Sequence, residues 1–538
     1  MIGASIVTKV LSDAGVTTIF SLSGNQIMPI YNACLDDKIE LVHVRHEAAA
    51  SFMAEAYAQL TGEIGVALIT AAPGFTNGLE PLYNAQKSET PLILISGDAP
   101  VELDGMGAFQ ELNQTAISSE LTKASIRATK VETIGQDVAR AIRIATSGRP
   151  GPVHLALPFD VLNASTQGFD ATQLKIAPEI TLPVESDIAA VADAIKAAER
   201  PFIIVGPASN ASRTGDLHSR LADSLDAPVI CMESPRGFVD PSLGGFSKSF
   251  AKADLVVSLG KTIDFTLNFG KVLSDDNVPN WMVIDPQSDM LERARRNLGP
   301  QLAATLRADV AASADRLIDL ARRPQASRKA WREEVSADIA QRNYETKIDS
   351  SAEYMSAAVA CAAVQRQIDA AEEPVLIADG GEFGQWAQAC LSSPSRVVNG
   401  PSGAIGAGLC YGVGAKKARP NATIFSVMGD GTVGFHFAEF ETAVRNNTPF
   451  IVVIGHDSRW NAEHQIQMRE YGPDRLNSCG LNWTRYDLAV EALGGHGEWV
   501  SDPADLDAAL DRAVQSGLPA CVCIQIEGLP APGGVAHQ

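Results

Sequence analysis

The sequence predicts an α/β protein built from three consecutive doubly wound, parallel-sheet domains. Short apolar runs alternate with longer segments of helical periodicity along nearly the whole chain, the pattern of repeated βαβ units. The runs lack the polar alternation of a half-solvated strand, so each sheet is expected to be covered by helices on both faces. A largely polar stretch at 163–184 and a charge-rich one at 321–351 divide the series into blocks 1–165, 185–320 and 352–538. With 538 residues, 46% hydrophobic and 20% charged, there is core enough for several such domains.

The first block opens on a helix at 4–14, in which Ile6, Val10 and Leu11 share one face. It lacks a basic segment leading into a long apolar core, so it reads as the first helix of a domain and no membrane association is expected. Strand 18–22, helix 26–35, strand 41–44, helix 48–59 and strand 66–69 follow, then a Pro-Gly turn, a helix and strand 92–96. The second block repeats the pattern with strands at 201–205, 228–232, 255–259 and 281–284. Segment 321–351, which contains RRPQASRKAWREE, is expected to be a solvated helical linker. In the third block, strands 424–428 and 450–454 flank a helix marked by Phe437, Phe440 and Val444.

Charge and cysteine usage narrow the function classes. The balance of 43 basic to 64 acidic residues, a net charge of −21, argues against nucleic-acid or anionic-membrane partners. The 8 cysteines are scattered, and the close pair Cys521 and Cys523 lies in an apolar strand without the spacing of a metal knuckle. Reduced thiols in a cytoplasmic protein are the expectation.

Two sheet edges concentrate the chemistry. Strand 424–428 breaks at Gly429-Asp430-Gly431, and strand 450–454 ends in Gly455-His456-Asp457-Ser458. In a parallel sheet both carboxylates fall at the carboxyl ends of neighbouring strands, where ligands bind. Glycines beside an Asp at a helix N-terminus let backbone N–H groups approach a phosphate while the carboxylate takes a hard cation such as Mg²⁺. A bare GDG is equally an ordinary turn, and Asp457 equally a helix cap. In the first block, strand 41–44 ends in Arg45-His46-Glu47 ahead of an alanine-rich helix. Alone, Glu47 reads as a first-turn acid that complements the helix dipole.

Taken together, RHEAAASFMAEAYAQLTG, AAPGFTNGLEPLYNA, GAFQELNQTAISSELTKAS, RPGPVHLALPFDV, ADGGEFGQW, GPSGAIGAGLCYGVGA and the GDG block resemble thiamine diphosphate (ThDP) enzymes. The branch they resemble contains acetolactate synthase, benzoylformate decarboxylase and benzaldehyde lyase. The resemblance implies that Glu47 hydrogen-bonds ring nitrogen 1′ of the aminopyrimidine, beside Pro73 of the Pro-Gly turn. Gly403 and Ile405 would meet that ring through main-chain groups, with the Ile405 side chain wedging the cofactor into a bent shape. Gly429, Asp430, Gly431 and Thr432 would cradle the diphosphate, and Asp430, Asp457 and the main-chain oxygen of Arg459 would hold Mg²⁺. The family carries Asn-Asn where this chain has His456-Asp457, a departure that keeps an oxygen ligand and adds a charge.

The chemistry so implied is that of a 2-oxo acid decarboxylase and carboligase, acetolactate synthase-like, working through a C2-thiazolium enamine. Glu47 would favour the imino tautomer that takes the thiazolium proton. The alternatives are an acyloin or 2-hydroxyacyl-CoA lyase running toward cleavage and, outside enzymes, a catalytically silent subunit of the same fold. The short C-terminus IEGLPAPGGVAHQ carries no basic run for a CoA phosphate, and an intact Glu47 counts against the silent subunit. A homodimer or homotetramer is implied, with Glu47 reaching a neighbouring subunit's diphosphate site. The small-molecule partner is a 2-oxo acid, an aldehyde or an acyloin.

Asn25, Gln26 and Gln110 are the candidate substrate contacts. Synthases carry paired Gly at the Asn25-Gln26 positions, and benzaldehyde lyase carries His at that of Gln26. Amides hydrogen-bond a carbonyl or carboxylate but carry no proton at neutral pH. Asn25-Gln26 also reads as a helix N-cap followed by a first-turn residue. His456 reads as a packed structural histidine, and Trp460 and Phe435 as pocket or core walls. Asp285 stands where FAD- or ADP-binding members have a residue near the ribose. The short 234–249 segment and Lys261 in place of Arg make a bound FAD or ADP the lesser expectation.

Overall fold

The computed structural model describes residues 1–271, 277–321, 328–342, 344–346, 352–398 and 402–532. The first sheet comprises β1 (Thr18–Ser21), β2 (Glu40–His43), β3 (Gly65–Ile69), β4 (Leu92–Asp98), β5 (Ala124–Arg127) and β6 (Pro152–Pro158), in the order β2-β1-β3-β4-β6-β5. The middle sheet comprises β7 (Pro201–Val205), β8 (Val229–Cys231), β9 (Leu255–Leu259), β10 (Asn280–Ile284) and β11 (Leu302–Leu306), in the order β11-β10-β9-β7-β8. The third comprises β12 (Pro374–Ala378), β13 (Ser395–Val398), β14 (Thr423–Gly429), β15 (Ile451–His456), β16 (His496–Val500) and β17 (Ala520–Gln525), in the order β13-β12-β14-β15-β17-β16. Counted from its own first strand, the third sheet repeats the order of the first.

Every pairing within the sheets is parallel. Strands β3, β4 and β6 are buried along their whole length, as expected for sheets covered on both faces. β5 and β11, each partly exposed at a sheet edge, carry apolar runs too weak to predict, and β6, β12, β13 and β16 were likewise not anticipated as strands.

The first and third domains share one core. Helix Glu47–Thr61 lies against helix Gly408–Ala418 so closely that a Cβ on Gly414 would stand 2.3 Å from the Met53 carbonyl oxygen. Phe52, Met53 and Tyr57 of one helix and Tyr411 and Val413 of the other belong to the same buried cluster. Arg149 ties the first domain to the middle one, its guanidinium held between Glu89 and Asp285.

Segment 321–351 differs from the solvated linker expected of it. Helix Lys329–Ala340 buries Trp331 and Val335 in the core of the middle domain, and the Trp331 Nε1–H donates to the Pro201 carbonyl oxygen at 3.1 Å. The i,i+4 pair forms a narrow apolar stripe that the surrounding charges mask in the sequence. The parts at 322–327, 343 and 347–351 lie outside the described residues, as do 399–401 of the GPSG segment and 533–538 of the C-terminus. The polar stretch at 163–184 is pinned by Phe169, Leu174 and Ile176, which pack on the core of the first domain. Among the described residues no helix is long and apolar enough to cross a membrane.

Candidate active site

The register of the third sheet assembles the first cluster. Met428 pairs with Ile454 and Gly429 with Gly455, so Asp430 and Asp457 both emerge just past the last paired residues, at the carboxyl ends of adjacent strands. Both are buried. Burial first and the neighbouring Asp430 charge second push the Asp457 carboxyl up to about 7, a sign that the two carboxylates crowd one another. Asp430 Oδ2 lies 3.0 Å from His456 Nδ1. That nitrogen already accepts the Ser458 backbone N–H at 3.3 Å, while Nε2 faces the Thr484 carbonyl oxygen at 3.2 Å. With Nδ1 taken up by that N–H, Asp430 Oδ2 is left as a buried oxygen without a hydrogen-bond donor.

Such a pair fits a hard divalent cation, which takes one or two carboxylates and completes its shell with main-chain and phosphate oxygens. Among the described residues no three His, Cys, Asp or Glu side chains converge on a point that could hold a metal ion. Ser458, at φ 59°, turns the chain between Asp457 and Arg459, and Arg459 lines the same cavity.

That cavity, about 650 Å³, is also lined by Gly403, Ile405 and 429–432, with Arg236 contributed by the middle domain. Several of its glycines are steric requirements. A Cβ on Gly431 would lie 2.8 Å from the Trp460 ring, and one on Gly380 would lie 2.1 Å from Ile405 Cγ2. Gly403 sits at φ 76° and Gly406 at φ 91°, a region that favours glycine. Thr432 is buried, its Oγ1 3.1 Å from where a Cβ on Gly381 would stand.

One functional side chain was absent from the sequence reading. Asp379, just past β12, accepts the backbone N–H groups of Gly380 at 2.6 Å, Gly406 at 3.1 Å and Gly408 at 2.5 Å. It thereby pins the loop that carries Gly403 and Ile405. The available signal was an Asp followed by two glycines at a strand end in ADGGEFGQW.

The second cluster occupies the carboxyl edge of the first sheet. Glu47 is the first residue of its helix, capped by His46, whose Nδ1 accepts the Ala48 N–H at 3.1 Å. The Glu47 carboxylate accepts from Asn77 Nδ2 at 3.1 Å, and its Oε1 is 3.4 Å from where a Cβ on Gly74 would stand, next to Pro73. Gln26 is buried and hydrogen-bonded to Gln110 at 2.6 Å. Asn25 is exposed at the start of a 3₁₀ turn, Asn25–Ile27, and makes no capping bond, so the helix-cap reading of Asn25 fails; Gly24 occupies the cap position.

The structure thus brings Gly403, Ile405, Gly429, Asp430, Gly431, Thr432, Asp457 and Arg459 around one cavity. Glu47, Pro73, Asn25, Gln26 and Gln110 are not among its lining residues within the chain. His456 is fully buried against Trp483, with ring centroids 4.9 Å apart, as its structural reading requires. Phe435 and Trp460 meet edge to face at 6.2 Å, beside the cavity. In the middle domain, Asp285 is paired with Arg149 and accepts the Gln287 N–H at 2.9 Å. The cavity at that edge measures about 240 Å³, below the usual range for small-molecule ligands.

Comparison with known proteins places matches on all three domains. Residues 1–117 match the thiamine pyrophosphate enzyme N-terminal TPP binding domain, 188–317 the central domain and 379–524 the C-terminal TPP binding domain. The chain is 31% identical over 531 residues to a probable acetolactate synthase of Mycobacterium bovis, covering 96% of this chain and 94% of that one. The same values hold for acetolactate synthase large subunit IlvG of Mycobacterium tuberculosis. It is 28% identical over 567 residues to 2-hydroxyacyl-CoA lyase 2 of Danio rerio, covering 95% of this chain and 89% of that one.

Proposed function

The chain belongs to the thiamine pyrophosphate-dependent enzyme family, and on that premise we propose that it is a ThDP- and Mg²⁺-dependent decarboxylase and carboligase of 2-oxo acids. The observation that carries the cofactor assignment is the buried Asp430–Asp457 pair, whose crowded charge and donorless oxygen call for a cation at the mouth of a glycine cradle. Asp430 and Asp457 would hold Mg²⁺ there, against the diphosphate. Bound ThDP supplies an acidic carbon and an electron sink for the bond broken beside the substrate carbonyl.

The chain's own residues then do the rest. Glu47 would hold a proton at ring nitrogen 1′, Ile405 would press against the cofactor, and Gln110 would meet the substrate. The carboxylate of Glu47 does not line the third-domain cavity of its own chain, which supports a homodimer or homotetramer whose sites are completed between subunits. All eight cysteines are free, in keeping with a reducing cytoplasm.

Cleavage of an acyloin or 2-hydroxyacyl thioester is the second reading, supported by the similarity to 2-hydroxyacyl-CoA lyase 2. Product analysis separates them. With ThDP and Mg²⁺ present, release of CO₂ from a panel of 2-oxo acids is the expected result. Aldehyde release from 2-hydroxy ketones or thioesters without CO₂ would replace it with the lyase.

A further inference from the structure

We infer that Thr70, Gln26 and Gln110 form a hydrogen-bonded relay that aims the N–H groups of the Gln110 carboxamide at an acceptor oxygen of the substrate. Thr70 is the positioning residue that sets its direction. The relay presupposes the function proposed above and adds which chemistry the substrate must present.

Thr70 follows β3 directly and donates its hydroxyl proton to Gln26 Oε1 at 2.7 Å. With that oxygen occupied, the other end of the same amide faces away, and Gln26 Nε2 donates to Gln110 Oε1 at 2.6 Å. Gln110 has then spent its carbonyl oxygen inside the protein and keeps its N–H₂ for a ligand. Each link is held by close packing. A Cβ on Gly24 would lie 2.2 Å from Thr70 Cβ, and one on Gly97 would lie 2.7 Å from Gln26 Cβ. Both side chains thus lie against glycine backbone that any larger residue would displace.

Gln110 itself sits at φ 61°, a conformation that costs a non-glycine residue on the order of 1 kcal/mol and is found mainly where a site requires it. The Glu111 carboxylate sustains it by accepting the backbone N–H groups of Gly105 at 2.6 Å, Gly107 at 2.8 Å and Ala108 at 3.1 Å. The relay also adjoins the cofactor end of the site. The empty β-position of Gly74 stands 2.7 Å from Thr70 Cγ2 and 3.4 Å from Glu47 Oε1. A chain of hydroxyl and amides neither takes nor gives a proton at neutral pH, so it recognises acceptor oxygens without catalysing transfer. A 2-oxo acid, with carboxylate and carbonyl oxygens side by side, matches that wall.

The test is calorimetric titration of oxamate, an unreactive 2-oxo acid isostere, into the ThDP–Mg²⁺ holoenzyme. Thr70→Val and Gln26→Glu, each of which breaks the donor sequence, are expected to weaken oxamate binding about tenfold or more, the worth of one hydrogen bond to a charged group. Thr70→Ser, which restores the hydroxyl, is expected to recover the affinity, and ThDP affinity should stay level across the set. Equal oxamate affinity in every variant, or no binding by the wild-type holoenzyme, overturns the relay. The decarboxylase reading is judged separately, by CO₂ release from the wild type.

Discussion

At the scale of single residues, the site is defined by what cannot be added to it. Gly431 faces the Trp460 ring at a distance that leaves no space for a methyl group, whereas Gly434, three residues on, has nothing within 4 Å of its empty β-position. Gly431→Ala is therefore expected to weaken Mg²⁺-dependent ThDP binding by tenfold or more, and Gly434→Ala to leave it unchanged, both read by titration calorimetry. The glycines and Glu47 were legible in the sequence because backbone geometry and a helix start leave a fixed residue pattern. The environment of His456 was not. Its burial against Trp483, Tyr486 and Trp499 draws on two segments distant from it, and no local spacing announces such a cluster.

At the scale of elements, loops are positioned by carboxylates and strands by what their neighbours bury. Asp379→Ala would leave the backbone N–H groups of Gly380, Gly406 and Gly408 without that acceptor. A stability loss of about 3 kcal/mol is expected from urea unfolding, with a fall in ThDP affinity as the 403–408 loop loosens. A lone Asp at a strand end is common in any sequence, so this role emerges only when two distant strand ends are seen side by side. β6 makes a pH prediction. His154, between the hydroxyls of Ser96, Ser118 and Ser125, is held by burial down to about 3 from the ordinary 6.5. Above pH 6.5 folded and unfolded chains bind the same number of protons at this site. Below it the unfolded chain binds one that the fold refuses, so stability falls as pH drops from 6.5 toward 3. The contribution is about 2 kcal/mol between pH 7 and pH 5, and His154→Gln is expected to flatten the urea-midpoint slope by that amount.

At the scale of the whole molecule, the three-domain plan and most strand positions could be read from apolar runs, because strands buried on both faces are continuously apolar. What escaped were the edge strands β5 and β11, the strands β6, β12, β13 and β16, and the packing of helix Lys329–Ala340, where a short apolar face is outnumbered by charge. The separation of Glu47 from the diphosphate cavity of its own chain makes the assembly testable. Co-expressed subunits carrying Glu47→Gln and Asp457→Ala would form mixed dimers in which one site holds both changes and the other neither. Activity well above that of either parent is expected, and activity no greater than the parents' would place both residues in a single subunit's site. The central claim, a ThDP site built on a metal held by Asp430 and Asp457, is tested most directly by calorimetric titration of ThDP into metal-stripped protein with and without Mg²⁺, for wild type and Asp457→Ala. The account predicts binding that requires Mg²⁺ and is lost in Asp457→Ala; binding indifferent to Mg²⁺ and to Asp457, or no binding at all, would contradict it.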